Sequence, residues 1–179
     1  SGVSLAGIGR AVKSAVSGGQ RGGGSTITQQ YVKNYFLSQE QTISRKFQEI
    51  VISLKIDQQL SKDEILEAYL NTIYYGRGAY GIETAAKAYF GKSAKNLSVA
   101  EGALLASVIR GPSLYDPALS TKALANAKER FGYVLDGMVE LNWLSASERA
   151  KVTFPAYLPI KKAAATSGPT GYIVAEVRK

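Results

Sequence analysis

Glu49 and two cations just before it form a group of side chains that could act on a charged substrate. Arg45 and Lys46 precede Glu49 by four and three residues, which places the three side chains near one another on one edge of a helix. In a cleft wall, the carboxylate could transfer a proton while the cations neutralise a diphosphate leaving group. The spacing alone favours a plainer interpretation, an ion pair on a helix surface worth about 0.2–0.5 kcal/mol.

A second group of polar side chains follows the glycine hinge at residues 22–24. On a helix, Ser25, Gln29 and Lys33 would follow one another a turn at a time, as would Thr26 and Gln30. Ser25 as the N-cap would make this an ordinary helix start. A helix N-terminus is itself an anion site, so a substrate-binding role is compatible with that start. The hydroxyls, carboxamides and ammonium can bind sugar and phosphate together, but the segment holds no strong nucleophile and no metal ligand.

Two secondary candidates lie where a later helix ends. Asn71 and Tyr74 follow an apolar helical face and could point into a cleft. The neighbouring Ile65, Leu66 and Leu70 are better explained as core residues.

The elements that must position these residues are predicted to be helices. Capping boxes at Ser61–Glu64 and Ser98–Glu101 predict two helix starts, and the second helix should stop at Gly111–Pro112. An amphipathic helix is predicted over 123–141. The helix around Glu49 is apolar over most of its circumference, and this pattern predicts that the helix is buried. The aromatic, glycine-rich stretch 74–81 is predicted to be a loop or helix junction. The sequence therefore predicts an all-α fold.

Composition limits the classes of function. The 179 residues contain no His and no Cys, so thiol chemistry is excluded and acid–base chemistry must rest mainly on carboxylates. A net charge of +8 favours anionic partners, but the basic residues are dispersed and no nucleic-acid-binding motif is present. No stretch approaches the ~20 apolar residues of a membrane span. We expect no cofactor; a divalent metal is possible, although no compact ligand cluster indicates one.

Four motifs, in order, resemble the peptidoglycan glycosyltransferases of family 51, the glycan-polymerising domains of class A bifunctional penicillin-binding proteins. The motifs are GGGSTITQQYVKN, RKFQE, KDEILEAYLNTIYYGRGAYGI with AYFGK, and LSVAEGALLAS. The resemblance implies a lysozyme-like large lobe with a small membrane-facing hydrophobic lobe. It also implies lipid II as acceptor and a lipid-linked glycan chain as donor, joined by a β-1,4 bond with inversion and release of polyprenyl diphosphate.

The resemblance gives roles to residues of this sequence. Glu49 matches the family's second catalytic Glu, and Lys33, Arg45 and Lys46 would neutralise the departing diphosphate. Many members have Arg where this chain has Gln41, and Arg77 could supply the missing contact. The residues that resemble substrate-binding positions are Ser25, Thr26, Gln29, Gln30, Lys33, Asn34, Arg45, Lys46, Asn71 and Tyr74.

The family's first motif, whose Glu is its principal catalytic base, is not in this sequence. We interpret residues 1–162 as a glycosyltransferase domain without that motif and its membrane anchor, and 163–179 as a linker and the start of a following transpeptidase domain. The expected location is the extracytoplasmic face of the plasma membrane, against anionic lipid and with no nucleic-acid partner. Two alternatives remain: a lysozyme-like glycan hydrolase, against which the cation cluster argues, and an inactive membrane-surface module.

Overall fold

The computed structural model describes residues 26–36 and 43–160. Regular structure within those ranges is helical apart from an isolated antiparallel bridge between Tyr74 and Tyr80, which confirms the predicted all-α class. The chain divides into two compact units. Unit 1 comprises Ser1–Tyr74 and Tyr80–Ile82, and unit 2 comprises Tyr75–Ala79 and Glu83–Lys179.

Three helices of unit 1 carry the candidate residues. Their bounds are α1 Ile27–Tyr35, α2 Ile43–Gln59 and α3 Lys62–Thr72. Helix α1 packs against both α2 and α3. Among the described residues of this unit, the buried apolar side chains are Val32, Ile50, Ile65, Tyr69 and Ile73. The capping box at Ser61 and Glu64 starts α3 as predicted.

Helix α2 differs from the prediction that it is buried nearly all round. Phe47 and Val51 are 52% and 45% exposed, while Glu49 and Ser53 are 2% and 3% exposed. The helix therefore turns its carboxylate and a hydroxyl inward and leaves part of its apolar surface outside. Because apolar residues occur around the whole circumference of α2, its hydrophobic periodicity cannot predict which face is buried. The helices that pack against α2 determine that face.

The regular secondary structure in the described part of unit 2 consists of helices and one 3-10 turn. Their bounds are α4 Ile82–Phe90, whose first residue belongs to unit 1, a 3-10 turn Ala94–Asn96, α5 Val99–Ile109, α6 Pro112–Tyr115, α7 Thr121–Glu140 and α8 Ala146–Arg149. Helix α7 packs against α5, α6 and α8. The predicted Ser98 capping box starts α5, and the helices predicted before Gly111 and over 123–141 are both present.

The segment after α8 packs against the rest of unit 2. The Leu158 main-chain NH donates to the carbonyl of Tyr89 at 2.7 Å, and the Tyr157 hydroxyl donates to the carbonyl of Pro117 at 3.3 Å. The Phe154 ring meets Phe131 edge to face at 5.2 Å. Residues 152–160 are thus part of the fold of unit 2. The linker and following domain predicted at 163–179 lie outside the described residues.

Candidate functional site

Glu49 and Lys46 form an ion pair on the inner side of α2. The Lys46 Nζ to Glu49 Oε1 distance is 2.5 Å, and the two side chains are 38% and 2% exposed. The Ser53 hydroxyl donates to the Glu49 main-chain carbonyl at 2.6 Å and occupies the next turn. A buried carboxylate thus meets a partly exposed ammonium, an arrangement that can hold the cation where an anion could reach it. Arg45 lies in α2, but its side chain is outside the described residues.

Thr26 and Gln29 close the N-terminus of α1 with a reciprocal capping box. The Gln29 main-chain NH donates to Thr26 Oγ1 at 3.2 Å, and the Thr26 main-chain NH donates to Gln29 Oε1 at 3.3 Å. The prediction that Ser25 is the N-cap was therefore wrong, because Thr26 takes that position. A capping box needs Glu or Gln three residues after the N-cap. Gln29 occupies that position relative to Thr26, whereas Thr28 occupies it relative to Ser25. Ser25 itself lies outside the described residues.

Two cross-helix hydrogen bonds fix α1 on its neighbours. The Thr28 hydroxyl donates to Asp57 Oδ1 in α2 at 2.7 Å, and the Tyr69 hydroxyl of α3 donates to Gln30 Oε1 at 3.1 Å. Burial raises the pKa of the Tyr69 phenol, which keeps it protonated as a donor. Gln30, predicted to bind substrate, therefore also holds two helices together.

The sequence did not single out Asp57 or Ser53, and it placed Tyr69 only on an apolar face. Thr28 and Asp57 are 29 positions apart, and Gln30 and Tyr69 are 39 apart, so no local spacing joins them. The only sequence signal for these residues was a polar side chain within a helical face predicted to be buried, as at Ser53.

Lys33 and Asn34 lie at the last turn of α1 and are both exposed. Neither side chain makes a hydrogen bond or ion pair with the described part of the chain. Their side chains are accessible to a ligand, as a substrate-binding role requires.

Asn71 and Tyr74 lie at and just beyond the end of α3, and both are exposed. The Asn71 carbonyl faces Gly81, where a Cβ would lie 2.5 Å from that oxygen and where φ is +82°. Glycine alone allows this close return of the chain. The return places the Tyr74 ring 4.8 Å from the ring of Tyr80. Asn71 also borders an apolar groove of about 290 Å³ lined by Asp63, Leu66, Glu67, Leu70 and Ile82.

Arg77 does not supply the extra diphosphate contact suggested by the sequence. Its guanidinium donates two hydrogen bonds to Asp116, at 2.8 and 2.7 Å, and further bonds to the carbonyls of Ala88 and Leu158. It also stacks on the Tyr89 ring at 3.8 Å, and its side chain is 4% exposed. The expectation was wrong because the fold of unit 2 uses this cation. Gln41 lies outside the described residues.

Residues 26–36 and 43–160 contain no group of three or more acidic side chains placed to hold a metal ion. No helix in these ranges is both long and apolar enough to cross a membrane.

Comparison with known proteins decides the family. A family model described as Transglycosylase matches residues 1–139. The chain belongs to this family. Transglycosylases of this kind form the peptidoglycan glycosyltransferase domains of class A penicillin-binding proteins, so the chain is a glycosyltransferase domain of cell-wall peptidoglycan synthesis.

Relatives of this transglycosylase domain are larger proteins. Penicillin-binding protein 1A of Mycobacterium tuberculosis is 49% identical over 185 residues, which cover 99% of this chain and 22% of that protein. Penicillin-binding protein 1A of Neisseria gonorrhoeae is 45% identical over 149 residues, 83% of this chain and 18% of that protein. The chain thus spans about a fifth of the length of the curated relatives it matches.

Similarity to a solved structure agrees with this family assignment. The crystal structure of penicillin-binding protein 1A from Haemophilus influenzae matches with a TM-score of 0.51 and 26% identity, over 85% of this chain and 18% of that one. This likeness extends the family assignment to the fold and supports the lysozyme-like, all-α class.

Proposed function

We propose that this domain adds lipid II to a growing lipid-linked glycan chain, forming a β-1,4 bond with inversion and releasing polyprenyl diphosphate. The observation that carries the proposal is the buried Glu49 carboxylate paired with the half-exposed Lys46 ammonium. Every described residue of the predicted substrate-binding set lies in unit 1 with this pair. A hydrolase acting on the same polymer needs a carboxylic acid but has no diphosphate to neutralise, so the cations favour the transferase.

In the proposed reaction, the acceptor 4-hydroxyl attacks the anomeric carbon of the donor. The new C–O bond forms as the bond to the diphosphate breaks, and the hydroxyl proton passes to a carboxylate base. The family resemblance assigns that base to the Glu of the first motif. Lys46, with Arg45 and Lys33, would stabilise the charge that builds on the diphosphate.

The burial of Glu49 sharpens its proposed role. At 2% exposure, the carboxylate has little surface to offer a bulky substrate, whereas its partner Lys46 is 38% exposed. We therefore propose that Glu49 acts mainly by orienting the Lys46 ammonium toward the diphosphate. Preorganised charge of this kind needs no rearrangement when the leaving group departs.

The proposal extends to the longer protein. We propose that it carries a penicillin-sensitive transpeptidase domain after residue 162, with 163–179 as the linker and first part of that domain. We also propose an upstream anchor that holds the glycosyltransferase domain at the extracytoplasmic face of the plasma membrane, with the hydrophobic lobe against the lipid.

The first experiment compares lipid II polymerisation by this 179-residue chain with that of the longer protein bearing the family's first motif. Activity in the longer protein alone is expected, and it would assign the base to that motif. Activity in both would mean that a carboxylate of this chain suffices as base. Inactivity in both, or hydrolysis of preformed glycan, would contradict the proposal.

Glu49→Gln in the longer protein tests the ion pair. We expect the polymerisation rate to fall at least about tenfold, since one lost charge-assisted contact is worth about 1.5–3 kcal/mol. The thermal unfolding midpoint should change little, because Lys46 can turn to solvent. Exposed Glu140→Gln is the matched control and should keep the parent rate. A parent rate in Glu49→Gln would show that the pair serves only the fold.

Binding of a phosphoglycolipid such as moenomycin, which mimics a diphosphate-linked donor, tests the donor site separately. We expect it to raise the unfolding temperature of this chain, because a ligand that binds only the folded state stabilises it. Lys46→Gln should reduce that rise.

A further inference from the structure

Unit 2 contains a cleft whose lining residues lie outside the predicted substrate-binding set. It is formed where α5 and α6 meet α7, and its volume is about 230 Å³. The lining side chains are Arg110, Tyr115, Asn126, Glu129, Arg130 and Tyr133. This is room for a small polar group and more than the about 10–15 Å³ of such space that one water molecule needs.

Arg130 brings an unsatisfied donor to this cleft. Its Nε atom is buried and has no hydrogen-bond partner in residues 26–36 and 43–160. The guanidinium lies over the Tyr133 ring, 4.9 Å from the ring centroid, which fixes its plane. Buried donors in folded proteins are nearly always paired, and an unpaired one on a permanently charged group calls for an acceptor from outside the described residues.

The charges around the cleft favour a negatively charged acceptor. Two guanidinium groups, Arg110 and Arg130, face one carboxylate, Glu129, which leaves one net positive charge. None of these three forms an ion pair within the described part of the chain. Asn126 is held in place because its Nδ2 atom donates to the carbonyl of Leu114 at 3.2 Å.

We infer that this cleft binds an oxyanion, a carboxylate or a phosphate group, at the Arg130 guanidinium, whose Nε–H lacks a partner among the described residues. Guanidinium groups match the geometry of both oxyanions by forming parallel hydrogen bonds. Arg110 supplies a second cation from the end of α5, and the two tyrosines supply rings against which the rest of a ligand can pack. Glu129 repels the anion and keeps the affinity of the cleft moderate.

Nuclear magnetic resonance of this chain with 15N-labelled arginine tests the inference. Inorganic phosphate, acetate and chloride are titrated at constant ionic strength, and the Nε–H signals of Arg130 and Arg110 are followed with the Tyr115 and Tyr133 ring signals. We expect a saturable shift with phosphate, acetate or both. Saturation by phosphate alone assigns the site to phosphate-bearing ligands, and saturation by acetate assigns it to carboxylates.

Three variants separate a shaped site from general attraction. Arg130→Lys keeps the charge but removes the planar set of guanidinium N–H donors. It should therefore weaken binding at least about tenfold, as measured from the signals of Arg110 and the two tyrosines. Glu129→Gln should strengthen binding, since a like charge is removed. Exposed Lys122→Gln, on the same helix but outside the cleft, is the matched charge control and should bind like the parent.

Two results would overturn the inference. One is a shift that stays linear and equals the effect of chloride, because a bound water would then explain the Arg130 donor. The other is equal affinity in Arg130→Lys and the parent, because charge alone would then account for binding. The readout does not depend on glycan polymerisation, so it stands apart from the proposed function of unit 1.

Discussion

The buried ion pair between Arg77 and Asp116 ties three segments of unit 2 together. Arg77 comes from the loop before α4, Asp116 follows α6, and the same guanidinium reaches the carbonyl of Leu158 at 2.7 Å. Tyr89 lies beneath the guanidinium, and its hydroxyl donates to the carbonyl of Tyr75 at 2.7 Å. Burial, followed by the nearby Asp116 charge, raises the pKa of this phenol well above its ordinary value. The cluster is thus a fully paired polar centre inside an apolar core.

Asp116→Asn should therefore destabilise the protein strongly. The Arg77 charge would stay buried without its counter-charge, and breaking such a pair typically costs about 3–5 kcal/mol. Urea unfolding followed by circular dichroism measures the loss. Arg149→Gln is the control, because Arg149 pairs with the exposed Asp136 and such surface pairs are worth about 0–1 kcal/mol. Equal losses in the two variants would contradict the structural role of Asp116.

Glu101 is a second residue whose charge supports the fold, and its effect depends on pH. Burial raises its pKa, but hydrogen bonds from Lys92 at 2.8 Å and from Ser98 outweigh that effect, so the pKa is lowered from 4.5. A carboxylate with a lowered folded-state pKa adds stability above its unfolded-state pKa, and this is lost as pH falls through the folded-state value.

Glu101→Gln should thus lower the free energy of unfolding at pH 7 by about 1–2 kcal/mol, from the lost ion pair and weakened cap. The difference from the parent should shrink as pH falls below 4.5, the unshifted value for this carboxyl. Denaturant unfolding at a series of pH values measures this difference in unfolding free energy. A difference that stays constant down to pH 3 would show that the charge of Glu101 does not contribute.

At the scale of elements, local rules predicted where helices start, and distant contacts decided how they are placed. The capping boxes at Ser61 and Ser98 depend on residues three positions apart, so both were visible in the sequence. The inward face of α2 was not visible, because it depends on partners such as Thr28, which reaches Asp57 across 29 positions. The pairing of Arg77 with Asp116 spans 39 positions and escaped prediction for the same reason.

The start of α1 combines a helix cap with a predicted substrate contact, and Gln29→Glu can separate the two. Glutamate serves equally at this capping position and favours the helix N-terminus, so stability should be kept or should rise slightly. If the carboxamide contacts a sugar or diphosphate, the new negative charge should lower the lipid II polymerisation rate of the longer protein about tenfold or more.

The control for Gln29→Glu is Gln58→Glu, an exposed change of the same type near the end of α2. It should change neither the stability nor the lipid II polymerisation rate by much. A Gln29→Glu variant with parent activity would leave Gln29 as a capping residue only. A loss of stability would instead show that the cap does not tolerate the carboxylate.

For the whole molecule, net charge and exposed apolar surface are the two properties that would govern any binding to a membrane. The charge of +8 attracts it to anionic lipid, at about 1 kcal/mol for each cation near the surface. Unit 1 also exposes Phe47, Val51 and Leu54, spaced four and three residues apart along α2, by 52%, 45% and 37%. Apolar insertion and charge attraction differ in their response to salt, so they can be measured separately.

We expect the chain to bind vesicles rich in anionic lipid weakly, and high salt should release most of it. The screening length falls from about 10 Å at 0.1 M salt to about 3 Å at 1 M, which removes the charge contribution but leaves apolar contacts intact. Co-sedimentation at both salt concentrations measures the two fractions. Any fraction that resists salt should fall in Phe47→Ser but not in Leu119→Ser, which changes an equally exposed residue of unit 2. Absence of binding even at low salt would contradict a membrane contact made by this domain alone, and it would assign membrane attachment to the remainder of the longer protein.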